Sequence, residues 1–301
     1  MTEPPALGST AELLTSITAQ LGTQLSGLRP RPVHPDAATT NPTNEGTRMP
    51  AHPHPAPALV LVAHGSRDPR ALRTVTSLLQ SVQELRPQLP VRLGHIELNA
   101  PRLDEALASL PSGRAVLVPL LLGRGHHVKQ DLPRAAAAAP WLHIKVAAAL
   151  GPHPLLVEAL HDRLTEAGWP ATGPGRRGPA VVLAAAGSRD RQSVADTHST
   201  AVLLSERLGG VPVVPAFASA AAPTVPGAVR ALTARGHHRV ALASYFTAPG
   251  RFATQSAAAA PWIAAAPLGA HPALARLLLL RYDQALVGEP AMAPGRELAT
   301  A

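Results

Sequence analysis

The sequence contains no cysteine, which excludes disulfides, thiolate metal sites and thiol nucleophiles. Any metal held by this chain must bind through His, carboxylate or water. Aromatic residues make up only 3% of the 301 residues, so the cores must be built from Ala, Val and Leu. Lysine is almost absent; only Lys129 and Lys145 occur, and the remaining basic residues are Arg. No apolar run approaches the ~18 residues that a membrane-spanning helix needs. Met1 to Leu28 has no basic region followed by an apolar run, so it does not read as a secretory signal. The expectation is a soluble, cytoplasmic protein with no membrane partner. A run of basic residues is missing too, since nothing exceeds Arg176-Arg177 and no aromatic platform lies beside that pair. The net charge of +8 is scattered, at −1 over residues 1–57, +3 over 58–166 and +6 over 167–301. A basic surface suits nucleic acid, a membrane or a polyanionic small molecule, and the scatter makes nucleic acid the weaker reading.

What is present is an internal repeat. ALVLVAHGSRDPR (Ala58–Arg70) returns 122 residues later as AVVLAAAGSRDRQ (Ala180–Gln192). AAAAPWL (Ala136–Leu142) returns as AAAAPWI (Ala257–Ile263), and LGPHPLL (Leu150–Leu156) as LGAHPAL (Leu268–Leu274). Five segments follow. Residues 1–57 form a Pro-rich leader expected to be disordered, apart from a short amphipathic helix over Thr10 to Leu28. Residues 58–166 and 180–287 are the two repeats, 167–179 a Gly/Pro/Arg linker, and 288–301 a flexible tail. The leader carries His34, His52 and His54.

Each repeat alternates strand and helix. Leu59–Ala63 is a short continuous apolar run, as buried parallel strands are. Asp68-Pro69 supplies an N-cap and a proline at the first helical position. The helix that follows runs to Leu85, with Leu72, Val75, Leu78, Leu79 and Val82 on one face. Strands are predicted over Val91–Ile96, Ala115–Leu121 and His143–Ala148. Helices are predicted over Pro101–Leu110, from about Gln130, and over Pro154–Glu166. This βαβαβαβα order predicts two tandem three-layer α/β domains of flavodoxin- or Rossmann-like type, each with a four-stranded parallel sheet.

Ligands of open parallel sheets bind at the carboxyl ends of the strands. His64 follows strand one, Glu97 follows strand two, and His127 lies in the loop after strand three. Two imidazoles and a carboxylate suit Fe²⁺, Co²⁺, Ni²⁺ or Zn²⁺ and leave coordination positions open. A single His after a strand is more often a capping residue, but three such groups at one sheet edge point to chemistry. The second repeat carries Ala186, Ser219 and Phe252 at the equivalent positions, so the fold does not need the polar trio. His153 and His271, found in both repeats, read as turn residues. The Gly65–Asp68 loop could hold a phosphate, but it lacks the glycine spacing of a nucleotide loop. Arg67 could instead bind carboxylates.

LVLVAHGSRDPRA, IELNAPRLDEAL, VPLLLGRGHHVKQDLP and LGPHPLL resemble the CbiX-type class II chelatases, the sirohydrochlorin chelatases, in their long two-repeat form. The resemblance covers residues 58 to about 287, with Leu132 where Ile is usual and His126 where Tyr is common. It implies a chelatase-like fold and a lyase that inserts a divalent metal into sirohydrochlorin, an anionic tetrapyrrole with eight carboxylates. It makes His64 and His127 the metal-handling histidines and Glu97 their acidic partner. Ser66, Arg67, Arg124, His126 and Lys129 are then candidate substrate contacts. The metal is a substrate, Fe²⁺ for sirohaem or Co²⁺ for cobalamin, with no permanently bound cofactor. Iron is the preferred reading, because one enzyme can serve it without a larger pathway. A non-catalytic metal or tetrapyrrole carrier and a phosphate-binding module are the alternatives.

Overall fold

Strand β1 (Ala58–Ala63) is buried along its whole length, as the all-apolar sequence ALVLVA requires of a strand flanked on both sides. The computed structural model describes residues 56–170 and 178–287. The leader with its three histidines lies outside the described residues up to residue 55, as do linker residues 171–177 and the tail 288–301.

β1 pairs in parallel with β2 (Val91–His95) and β3 (Gly113–Pro119), and β3 pairs with β4 (Leu142–Val146), giving the order β2-β1-β3-β4. Between them run α1 (Pro69–Leu85), α2 (Leu103–Ala108) and α3 (Leu132–Ala137), and α4 (Pro154–Glu166) follows β4. The second repeat copies the plan with β5 (Ala180–Ala185), α5 (Arg191–Arg207), β6 (Val213–Phe217), α6 (Val225–Ala234), β7 (Val240–Tyr245), α7 (Arg251–Ala257), β8 (Ile263–Ala264) and α8 (Pro272–Val287). Its sheet order is β6-β5-β7-β8, again parallel.

Local signals set the helix starts. Asp68 accepts from the Arg70 backbone N–H at 2.9 Å, with Pro69 at the first helical position, and Asp190 caps α5 in the same way through Gln192. The Arg70 guanidinium also grips Asp68 and holds its carboxyl down at about 2. His153 and His271 are caps as well: their Nδ1 atoms accept from the backbone N–H groups of Leu155 and Ala273. Burial, with Arg281 nearby, lowers the His153 pKa and so favours the neutral imidazole that can accept.

α1 places Ala71, Val75, Leu78 and Val82 in the core. Leu72, predicted for that face, is 38% exposed and opens instead onto the cleft described below. The helix predicted from Gln130 begins earlier, with a π-helical turn over His127–Asp131 that runs into α3.

The two repeats are not separate bodies. α8 packs on α1, α4, β3 and β4 of the first repeat, whereas α4 packs on α5 and β7 of the second. Each sheet is thus covered by the last helix of the other. One apolar cluster runs through β1, α1, α4, β5, α5 and α8, and smaller clusters cover the outer face of each sheet. Polar links cross the same seam. Arg86 holds Asp283 through two bonds of 2.6 and 2.8 Å, Arg163 and Arg281 donate to the Leu268 and Leu150 carbonyls, and Tyr282 Oη donates to the Pro57 carbonyl. Among the described residues, no helix is long and apolar enough to cross a membrane.

Candidate metal centre

The pairing of β1 with β2 continues past both strand ends, and this continuation builds the site. The Ile96 N–H donates to the Ala63 carbonyl and the Glu97 N–H to the His64 carbonyl, so the two side chains emerge side by side. Gly65 makes the approach possible. Its φ is +104°, and a Cβ there would lie 1.8 Å from the Glu97 carbonyl oxygen. Gly187 repeats the arrangement against Ser219, with φ +92° and the same 1.8 Å overlap. We expect Gly65→Ala and Gly187→Ala to destabilise by similar amounts, on the order of 2 kcal/mol or more, by denaturant titration. Only Gly65→Ala should also weaken binding of Co²⁺, measured calorimetrically, because only its loop carries candidate ligands.

His64 Nε2 lies 3.1 Å from Glu97 Oε1, and the His64 and His127 rings meet edge to face with centroids 4.8 Å apart. One ligand atom from each of His64, Glu97 and His127 falls within 4.8 Å of the others. Ligands bound to one ion at about 2.0–2.1 Å sit about 3–4 Å apart, so small side-chain rotations close the triad. His64 Nδ1 lies 3.3 Å from the Gly65 carbonyl, which can only accept. With the proton on Nδ1, His64 Nε2 and the Glu97 carboxylate face each other as two donor atoms that could share a cation.

His127 is oriented by a residue that the sequence reading did not single out. Asp131 Oδ2 lies 2.7 Å from His127 Nδ1, fixing the proton there and leaving Nε2 free to ligate. The π-helical turn supplies this contact by placing residues 127 and 131 on one face. Asp131→Asn should reduce metal affinity or insertion rate about 10–100-fold while leaving the fold intact, as steady-state rates and circular dichroism would show. Asn99 was also missed; its Oδ1 accepts from the Ser66 N–H at 2.6 Å and secures the loop after His64. The repeat comparison held the signal for both residues. The second repeat has Ala221 in place of Asn99 and, aligned through Gly125 and Gly250, Ser256 in place of Asp131.

The other candidates divide. Arg67 is exposed beside the site and has no ion-pair partner among the described residues. Ser66 accepts from the Asp68 N–H through Oγ, which gives it a loop-forming role. His126 is exposed, 3.9 Å from Asp131 and with its ring 6.1 Å from that of His127. Arg124 and Lys129, read from the sequence as grips for substrate carboxylates, are instead ion-paired across the repeats. Arg124 binds the buried Asp196 through its guanidinium at 2.6 Å and its backbone N–H at 3.0 Å. Lys129 reaches Asp190 at 2.5 Å and lowers the pKa of that carboxyl. Both pairs brace the loop that carries His127 against α5. Neither partner could be read from the first repeat alone, because both carboxylates belong to the second.

The triad opens into a cleft between the repeats. One lobe, of about 1030 Å³, is bounded by the His64 loop and residues 246–253. A second lobe, of about 500 Å³, lies between the His127 loop and the second repeat. His95, buried at the end of β2 with Nδ1 on the Pro101 carbonyl, also borders the larger lobe.

The CbiX family model matches residues 58–167 and 180–285. A sirohydrochlorin ferrochelatase of Bacillus subtilis is 29% identical over 174 residues, covering 55% of this chain and 64% of that protein. A sirohydrochlorin cobaltochelatase of Methanopyrus kandleri is 36% identical over 86 residues, covering 28% of this chain and 60% of that protein. The chain thus spans somewhat under two thirds of these curated relatives. The solved structure of SirB from Bacillus subtilis with Fe³⁺ shares the fold at a TM-score of 0.61 and 22% identity, over 76% of this chain and 94% of that one. The structure of CbiX, the terminal enzyme for siroheme biosynthesis in denitrifying bacteria, superposes with a TM-score of 0.59 at 21% identity, over 76% and 99% of the two chains. With both repeats matched in order over more than half of its length, the chain belongs to the CbiX family.

Proposed function

We propose that this protein is a cytoplasmic sirohydrochlorin chelatase that inserts Fe²⁺ into the tetrapyrrole. The observation that carries the reading is the His64–Glu97–His127 triad at the mouth of an inter-repeat cleft, with its counterparts erased from the second repeat. The names of the relatives supply the substrate class.

The incoming ion exchanges part of its water shell for His64 Nε2, His127 Nε2 and a Glu97 oxygen. Three protein ligands leave positions open through which pyrrole nitrogens can take over the ion. Insertion of a divalent ion releases two pyrrole protons. As the metal leaves the protein, the vacated imidazoles and Glu97 become bases beside those nitrogens. Asp131, 2.7 Å from His127 Nδ1, keeps that ring oriented as the metal departs.

The test is anaerobic incubation of the full chain with sirohydrochlorin and either Fe²⁺ or Co²⁺, followed by the visible absorption of the macrocycle. Insertion faster than the protein-free reaction supports a chelatase. A higher rate with Co²⁺ would move the assignment to a cobaltochelatase, the activity named for the Methanopyrus relative. Tight binding without turnover would make the protein a carrier.

A further inference from the structure

The chain has three phenylalanines, and all three (Phe217, Phe246 and Phe252) line the cleft that opens on the metal triad. All three belong to the second repeat, the one without ligands. Phe217 is buried in the shared core, and Phe246 packs on the outer core of the second sheet. Phe252, at the position of His127, joins none of the three apolar clusters among the described residues. Core packing therefore does not account for it.

Its neighbour Arg251 lies with Cζ 4.8 Å from the Phe252 ring centroid and has no carboxylate partner among the described residues. The preceding Gly250 faces the His64 loop; a Cβ there would lie 3.9 Å from Ser66 Oγ. The Arg251–Phe252 pair thus stands across the cleft from His64, with the unpaired Arg67 on the near side.

We infer that the second repeat is the substrate wall of the enzyme. Phe252, with Phe246 in the same cleft lining, takes the flat face of the macrocycle, and Arg251 pairs with carboxylates at its edge. The inference rests on the chelatase reading and adds the residues that position the tetrapyrrole. An aromatic ring meets a π-face favourably in offset or edge-on contact, and a guanidinium forms forked bonds to carboxylates. The loss of the ligand histidine from the second repeat is then a gain of a substrate contact at the same position.

The test measures sirohydrochlorin binding to the full-length protein without metal, by the absorption change of the macrocycle, for Phe252→Ala, Phe252→Trp and Arg251→Ala. Co²⁺ binding without tetrapyrrole is titrated in parallel. Phe252→Ala and Arg251→Ala should each weaken macrocycle binding and raise its KM about ten-fold. Phe252→Trp should restore it, and Co²⁺ affinity should match wild type throughout. Unchanged macrocycle binding in Phe252→Ala or Arg251→Ala would overturn the wall, and a Trp variant as weak as the Ala variant would overturn the stacking assignment. A wild-type protein that inserts metal but whose variants bind normally would refute this inference alone. A wild-type protein that neither binds sirohydrochlorin nor inserts metal would remove the chelatase reading as well.

Discussion

Replacing His64 and His127 together by Ala is expected to abolish metal insertion while leaving the melting temperature within a degree or two of wild type. In the proposed mechanism each side chain supplies a ligand and later a base, and loss of a positioned acid–base group alone lowers rates roughly 10²–10⁴-fold. The fold should hardly notice. The His64 and His127 side chains are 47% and 32% exposed, and the one hydrogen bond lost, from His127 to Asp131, leaves a carboxylate that water can still reach. Exposed substitutions away from special features usually stay within about 0.5 kcal/mol. The second repeat already makes the same experiment, because β5 and its loop keep their geometry with Ala186 in place of His64. Insertion at the wild-type rate by the double variant would remove the triad from the mechanism. A fall in stability matching the fall in activity would recast the histidines as scaffold.

The triad was legible because its geometry follows from topology. Parallel strands with β1 in the middle put the residues after β1, β2 and β3 at one edge, whatever fills the loops. Capping was legible for a similar reason, since Asp68-Pro69 acts on its own helix. Asp131 was not, because its contact with His127 depends on a π-helical turn, and the sequence predicts a helix start only near Gln130. Arg124 and Lys129 show the limit more clearly. An arginine in a loop reads as a free cation until the fold supplies Asp196 from another repeat. The wall residues were hidden in the same way, since Phe252 enters a sequence comparison only as a missing histidine.

The exchange of last helices was also beyond the sequence, because the apolar positions of α8 say that it is buried but not against which sheet. It has a measurable consequence. Leu278, fully buried in α8, lies in the apolar cluster shared by both repeats. Leu278→Ala should destabilise the protein by about 2–5 kcal/mol, lowering the melting temperature by about 5–15 °C at this size. The loss should fall on both repeats at once. α8 rests on α1, β3 and β4, so amide hydrogen exchange should speed up in β3 of the first repeat as well as in β7 of the second. Near-ultraviolet and far-ultraviolet circular dichroism should report one coincident transition. If the two repeats were independent domains, a substitution in the second would leave exchange in β3 at its wild-type rate and split the melt in two. The shared core also gives a physical reason for keeping a repeat without metal ligands: without α8, the strands behind His64 and His127 lose one of their covering layers.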